Sequence, residues 1–156
     1  MDLLLWRHAE AEPGEPDVAR PLTAKGRKQA ERIAAWLDAR LPADTRVLVS
    51  PAERARQTAD ALARPSRVVD ALAPGATVSA LLAAVGWPKA PAPVLVVGHQ
   101  PTLGELAAYL LSGEPQPWSI RKGAVWWIGA PTHVGRAPAV LRAVIGPDLV
   151  RSVARR

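Results

Sequence analysis

Short apolar runs alternate along this chain with segments whose apolar residues recur at helical spacing. The runs are at 3–6, 47–49 and 94–97, and each is too short for a helix and lacks a polar face. Runs of this kind are typical of strands buried on both faces of a parallel sheet. We predict helices over 24–41, 52–63, 77–85 and 103–111. Further strands are expected at 67–69, 124–128 and 140–145, with a short helix from Asp148.

Local signals fix several of these boundaries. Thr23 is a good N-cap for the first helix, and Pro42 is expected to end it. Gly113 is expected to stop the last long helix. Residues 9–21 are polar and rich in proline, so they are predicted to form a loop.

The resulting order of elements predicts an α/β protein. We expect a three-layer α/β/α sandwich with a mainly parallel central sheet. The 156 residues contain no repeats or obvious linkers, so residues 1–156 are expected to form one domain.

Charge and composition narrow the classes of function. The net charge of +6 favours anionic partners, but no basic run of five or more residues supports a nucleic-acid binder. With no cysteine, the chain has no disulfide, thiol nucleophile or cysteine zinc site. The apolar run at 3–6 is too short for a signal peptide or a membrane span, so we expect a soluble, cytoplasmic protein that binds no membrane.

Cationic and imidazole side chains follow three of the predicted strands. The first strand leads into Arg7 and His8, the second through Ser50 to Arg54, and the third into His99. Ligands of open α/β sheets bind outside the carboxyl ends of the strands, so these side chains are expected to converge.

This set of side chains suits phosphoryl transfer without a metal or another cofactor. Arginine forks bind phosphate oxygens through paired hydrogen bonds, and a neutral histidine ring can act as the nucleophile. Nearby arginines disfavour the charged imidazolium. A second histidine could donate to a phosphoryl oxygen as charge builds up.

Structural roles for the same residues remain open at this point. Arg54 could pair with Glu53 or Asp60 on a helix surface, and His99 could bond to backbone in a turn. His133 is assigned no role, because it lies among prolines and glycines. A histidine metal site is disfavoured because neither His8 nor His99 has a metal-ligand pattern nearby.

Four segments resemble motifs of the histidine phosphatase superfamily. Arg7-His8-Ala9 resembles its first motif, and Ser50-Pro51-Ala52-Glu53-Arg54-Ala55-Arg56-Gln57-Thr58 its second. Gly98-His99-Gln100-Pro101 resembles the third, and Arg20-Pro21-Leu22-Thr23 with Gly26 and Gln29-Ala30 the segment after the first loop. Order and spacing hold from about residue 3 to residue 111.

The resemblance implies a phosphoglycerate mutase-like fold and a role for each motif residue. His8 would accept the phosphoryl group, Arg7, Arg54 and His99 would form the phosphate pocket, and Arg20 would add a contact. The short chain is similar to the SixA-like phosphohistidine phosphatases. Its substrate would then be a phosphorylated protein, of which a histidine-containing phosphotransfer domain is one candidate.

The proton donor separates this interpretation from its main alternative. Relatives that cleave phosphate esters usually have an acidic donor between the second and third motifs, and region 65–93 contains only Asp70. An Asp70 carboxylate beside the phosphate would favour a small phosphoester as substrate. A protein that binds phosphate without catalysis is a further alternative, which the presence of His8 disfavours.

The tryptophans Trp118, Trp126 and Trp127 have no place in these motifs. Neighbouring residues of a strand face opposite sides, so Trp126 and Trp127 cannot both face one core. One of them is expected near the surface of an edge strand, either partly covered or in a protein contact or dimer seam.

Overall fold

The computed structural model describes residues 1–130 and 139–151. Within them, six strands form one sheet, and the predicted alternation of strands and helices is confirmed. The strands are β1 (Asp2–Arg7), β2 (Arg46–Val49), β3 (Arg67–Val68), β4 (Val94–Gly98), β5 (Val125–Gly129) and β6 (Val140–Ile145). The helices are α1 (Ala24–Asp38), α2 (Glu53–Asp60), α3 (Val78–Val85) and α4 (Thr102–Ser112).

The sheet is parallel in its middle and antiparallel at one side. Its strand order is β3-β2-β4-β1-β5-β6. The pairs β2–β3, β2–β4 and β1–β4 are parallel, whereas β5 is antiparallel to both β1 and β6. This arrangement places the ends of β2, β4 and β1 side by side.

Helices cover both faces of the sheet, which confirms the three-layer sandwich. On one face, α3 and α4 pack against alternate residues of β1, namely Leu3 and Leu5. On the other face, α1 and α2 pack against Leu4 and Trp6. Because each face of β1 is covered, the whole apolar run is buried, as its composition predicts.

Helix α1 begins where the sequence predicts and ends earlier. The Thr23 hydroxyl accepts a hydrogen bond of 2.9 Å from the Gly26 amide, which satisfies one of the free donors of the first turn. The helix ends at Asp38, four residues before Pro42. Residues 147–149 form a 3₁₀ turn near the predicted tail helix, and 152–156 lie outside the described residues.

The two neighbouring tryptophans of β5 pack on opposite faces of the sheet. Trp127 is buried in the same cluster as Leu4 and Trp6. Trp126 is half-buried against Trp118, with ring centroids 6.1 Å apart. The expectation of an edge strand is wrong, because β6 pairs with the outer side of β5.

None of the helices in the described part of the chain is both long enough and apolar enough to span a bilayer. The cytoplasmic location stays a prediction.

Candidate active site

The carboxyl ends of β1, β2 and β4 bring the predicted residues into one pocket. The His8 amide donates to the Gly98 carbonyl over 3.1 Å, and the Ser50 amide donates to the Val97 carbonyl over 3.0 Å. These bonds hold the three strand ends in line. The pocket has a volume of about 260 Å³ and is lined by Arg7, His8, Ala11, Arg20, Arg54, Pro74, His99, Gln100 and Lys122.

The hydrogen bonds of His8 define which ring nitrogen carries hydrogen. Nδ1 lies 2.8 Å from the backbone carbonyl of Ala9, which can only accept, so Nδ1 is the protonated nitrogen. Nε2 then keeps its lone pair, and the Nε–H of Arg54 donates to it over 3.4 Å. Nε2, which carries no hydrogen, is therefore the atom of this ring that can act as a nucleophile.

His8 is held neutral by its surroundings. Its side chain is almost fully buried, and burial is the main reason that the pKa is lowered to about 4. The hydrogen bond to Ala9 opposes this shift, and the charges of Arg54, Arg7 and Arg20 add to it. The ring is therefore neutral at pH 7, with hydrogen on Nδ1 only.

His99 lies beside His8 and is oriented by Ser50. The two imidazole centroids are 5.1 Å apart, and His99 Nε2 is 2.7 Å from the Ser50 hydroxyl. That hydroxyl accepts from the Ala52 amide, and within the described residues its own hydrogen has no acceptor other than His99 Nε2. The hydroxyl therefore donates to Nε2, which leaves Nδ1 as the protonated nitrogen.

The surroundings of His99 also keep its ring neutral. Burial lowers the pKa of His99 to about 3, and the charges of His8, Arg54 and Arg7 act in the same direction, while Asp17 opposes them. Burial also lowers the pKa of Arg7, although a guanidinium stays charged in a protein.

Two buried donors of the pocket residues have no partner within the described part of the chain. They are Arg7 Nε and His99 Nδ1. Buried polar atoms are nearly always hydrogen-bonded, so donors without a protein partner in a cleft are available to a bound molecule. Both are donors, and an anion with several acceptor oxygens fits them.

Asp17 links two of the pocket arginines and was not predicted from the sequence. The Arg54 guanidinium donates to the Asp17 carbonyl over 2.9 Å and to its carboxylate over 3.1 Å. Arg20 donates to the other carboxylate oxygen over 3.0 Å. Arg54 therefore pairs with Asp17, and not with Glu53 or Asp60 as the structural alternative proposed.

The same contacts keep Asp17 ionised. Partial desolvation raises its pKa, but the charges and hydrogen bonds of Arg54 and Arg20 outweigh it, so the pKa lies below its usual value. A carboxylate in this state is a poor proton donor at neutral pH. The signal for Asp17 in the sequence is weak, because it lies in a proline-rich loop without periodicity.

Two further residues of the second motif fasten the loop that follows β1. The Gln57 amide oxygen accepts from the Leu22 backbone amide over 2.7 Å. The Thr58 hydroxyl accepts from the Ala9 amide over 3.1 Å. Helix α2 thus supplies Arg54 and also holds the backbone beside His8.

Asp70 does not reach the pocket. It is exposed in a 3₁₀ turn, and it is not among the residues lining the cavity. No carboxylate lines the pocket within residues 1–130 and 139–151. His133 lies outside the described residues.

No group of three or more His, Cys, Asp or Glu side chains in the described segments is placed to hold a metal ion.

Comparisons with known proteins agree with this fold. The model of the histidine phosphatase superfamily (branch 1) matches residues 3–73. The phosphohistidine phosphatase SixA of Escherichia coli (strain K12) is 38% identical over 127 residues, which are 75% of this chain and 78% of that protein. The chain therefore belongs to the histidine phosphatase superfamily and is a phosphatase.

Solved structures of SixA proteins share the whole fold. A protein from Nakamurella multipartitia assigned as a SixA phosphohistidine phosphatase is 33% identical, with a TM-score of 0.76 over 94% of this chain and 95% of that one. The protein histidine phosphatase SixA in complex with tungstate is 27% identical, with a TM-score of 0.79 over 95% of this chain and 98% of that one. The phosphoglycerate mutase-like architecture predicted from the motifs is thereby confirmed.

Proposed function

We propose that this phosphatase removes the phosphoryl group from phosphohistidine on a protein, through a covalent intermediate on His8. The observation that carries the proposal is that one pocket contains a neutral His8 whose Nε2 carries no hydrogen and two donors without a protein partner, on Arg7 and His99. Transfer of a phosphoryl anion requires a nucleophile and donors that bind the phosphoryl oxygens.

The reaction proceeds in two displacements at phosphorus. In the first, Nε2 of His8 forms a P–N bond as the P–N bond of the substrate breaks, and the substrate ring, which carries hydrogen on its other nitrogen, leaves with the electron pair as neutral imidazole. Arg7, Arg54 and the Nδ1–H of His99 neutralise the charge on the phosphoryl oxygens. In the second, water attacks phosphorus, the His8 ring leaves, and inorganic phosphate is released.

The lack of an acid in the pocket favours a P–N bond over an ester. An ester releases an alkoxide, which is a strong base and needs a proton donor. Phosphohistidine releases an imidazole ring, whose pKa is near 6.5. No carboxylate lines the pocket in the described residues, and Asp17 is held ionised, so the substrate that needs least acid assistance fits best.

The name of one relative adds support. SixA has been solved with tungstate, which is a tetrahedral oxyanion like phosphate. An oxyanion in the corresponding pocket here would meet the donors of Arg7 and His99.

Phosphate release in the presence of EDTA tests the proposal. The wild-type chain should release phosphate from a phosphohistidine-bearing protein faster than from an aryl phosphate. His8→Ala should lose at least about a thousandfold in kcat, since it removes the nucleophile. Quenching in alkali should recover a phosphohistidine on the wild-type enzyme and none on the variant.

A matched pair of arginine variants tests the pocket. Arg54→Ala should lower kcat/KM about a hundredfold or more, whereas Arg56→Ala, exposed on the same helix, should leave it unchanged. Undiminished phosphate release by His8→Ala, or equal effects of the two arginine variants, would overturn the proposed mechanism.

A further inference from the structure

A second, larger depression lies next to the phosphate pocket, and we call it the basic groove. It has a volume of about 560 Å³. Helix α1 forms one wall, and the segment at 121–122 before β5 forms another. Its lining residues are Arg7, Glu10, Lys25, Lys28, Gln29, Arg32, Arg121, Lys122, Pro147 and Asp148.

Three cations of the groove lie on one face of α1. Lys25, Lys28 and Arg32 are three and four residues apart, which brings their side chains together on a helix. Like charges at this spacing destabilise a helix, so the arrangement is not explained by stability.

Ion pairs within the described segments leave these cations free. The salt bridges there involve Arg20, Arg54, Arg64 and Arg142. The cations of the groove make none of them; these are Arg7, Lys25, Lys28, Arg32, Arg121 and Lys122. Of the two acids in the lining, Glu10 accepts a hydrogen bond of 2.8 Å from the Thr23 hydroxyl.

The groove continues into the phosphate pocket. Arg7 and Lys122 line both cavities, and the Arg7 guanidinium is anchored to the Ile120 carbonyl over 2.9 Å. A chain whose phosphorylated histidine enters the pocket would therefore lay its neighbouring residues along the groove.

We propose that the basic groove binds an acidic segment flanking the phosphohistidine of the substrate protein. The inference rests on the proposed function, and it adds the chemistry that distinguishes one phosphoprotein from another. Exposed cations without partners match carboxylates of Asp and Glu. No aromatic side chain is among the described lining residues, so the groove lacks the stacking platform typical of single-stranded nucleic-acid sites.

Synthetic peptides that differ only in charge test this inference. They share one histidine, phosphorylated with phosphoramidate, and their flanking positions are filled with Glu, Gln or Lys. The wild-type chain should show a kcat/KM for the Glu peptide about tenfold above that for the Gln peptide at low ionic strength. That ratio should decline as salt is added, because exposed charges are screened.

Two double variants with the same change in net charge provide the comparison. Lys25→Glu/Lys28→Glu alters the groove, and Arg27→Glu/Lys89→Glu alters exposed positions outside its lining. In the first variant, kcat/KM for the Glu peptide divided by kcat/KM for the Gln peptide should fall to about one or below. The second should keep the wild-type ratio.

Binding of unphosphorylated, fluorescently labelled peptides separates this inference from the proposed function. The Glu peptide should bind the wild-type chain about tenfold more tightly than the Lys25→Glu/Lys28→Glu variant. If the two proteins differ in binding in this way but the wild-type chain releases no phosphate from any peptide, the proposed function is wrong and the inference about the groove is supported.

Three results would overturn the groove inference. The first is a Glu-to-Gln ratio near one in the wild type, and the second is a ratio kept in the groove variant. The third is an oligonucleotide that binds the wild-type chain more tightly than the Glu peptide and loses its binding in the groove variant, which would make the groove a nucleic-acid site.

Discussion

One backbone carbonyl selects the reactive nitrogen of His8. By accepting from Nδ1, the Ala9 carbonyl leaves Nε2 unprotonated and directed at Arg54. Burial then keeps the ring neutral even among arginines. In the proposed mechanism the nucleophile is therefore ready before any substrate binds, and no base is needed to deprotonate it.

Neutral burial of His8 couples stability to pH. Its pKa is about 4 in the folded chain and near 6.5 in an unfolded one. Between these values the unfolded state binds a proton that the folded state does not, so stability is full above about pH 6.5 and is lost as the pH falls towards 4.

Urea unfolding at pH 5 and pH 6 measures this coupling. The free energy of unfolding of the wild-type chain should be lower at pH 5, and His8→Asn should remove about 1 kcal/mol of that difference. An identical pH dependence in wild type and variant would show that His8 is not held neutral by the fold.

Ser50 is expected to act through His99. Ser50→Ala removes the hydroxyl that directs hydrogen to Nδ1 of His99, so both tautomers become accessible. We expect kcat to fall roughly tenfold, and ¹⁵N NMR of the ring should show Nδ1 losing its full protonation. A wild-type kcat with Nδ1 still fully protonated would contradict this role.

At the scale of elements, α1 is pressed against the loop that follows β1. A Cβ at Gly26 would lie 2.0 Å from the Glu10 carbonyl oxygen, and the Glu10 amide is held by Gln29 over 3.0 Å. Gly26 is therefore a position of close packing between the helix and the loop. Glu10 is two residues from His8, so this contact of α1 with the loop also helps to position His8.

Gly26→Ala tests this contact. The clash is with backbone, so the helix or the loop has to move, and we expect a loss of about 1–3 kcal/mol in the free energy of unfolding. Arg27→Ala, exposed on the same helix, should change it by less than about 0.5 kcal/mol. Urea midpoints of both variants give the comparison. Equal stability of Gly26→Ala and wild type would refute the close contact.

Elements with strong local signals could be predicted, and their ends less well. Strands β1 and β4 could be recognised because burial on both faces leaves their runs at 3–6 and 94–97 without a polar residue. Helix α2 spans Glu53–Asp60, shorter than the predicted 52–63, since its alanines favour a helix without fixing where it stops.

At the scale of the whole molecule, the strand order could not be predicted from local patterns. The pairing of β1 with β4 and β5 joins residues distant in sequence, and hydrophobic periodicity contains no information about partners. Nor does periodicity indicate direction, so the antiparallel orientation of β5 was not foreseen.

The pocket itself could be predicted because strand ends and motifs coincide. Arg7, His8, Arg54 and His99 were placed together from the rule that parallel strands end at one edge, and Arg20 joins them. Asp17 could not be predicted, because its place in the loop at 9–21 depends on Arg54, which binds it from α2, and on Arg20 within the loop itself.

The central place of β1 in the sheet has a consequence for the order in which the molecule assembles. Both neighbours of β1 follow it late in the chain, at Val94–Gly98 and Val125–Gly129. A nascent chain therefore carries β1 with both edges unpaired until β4 has been made, and with one edge unpaired until β5 follows. Long-range pairing of this kind slows folding and exposes unpaired strand edges, so His8 directly follows a strand that waits for late partners during synthesis.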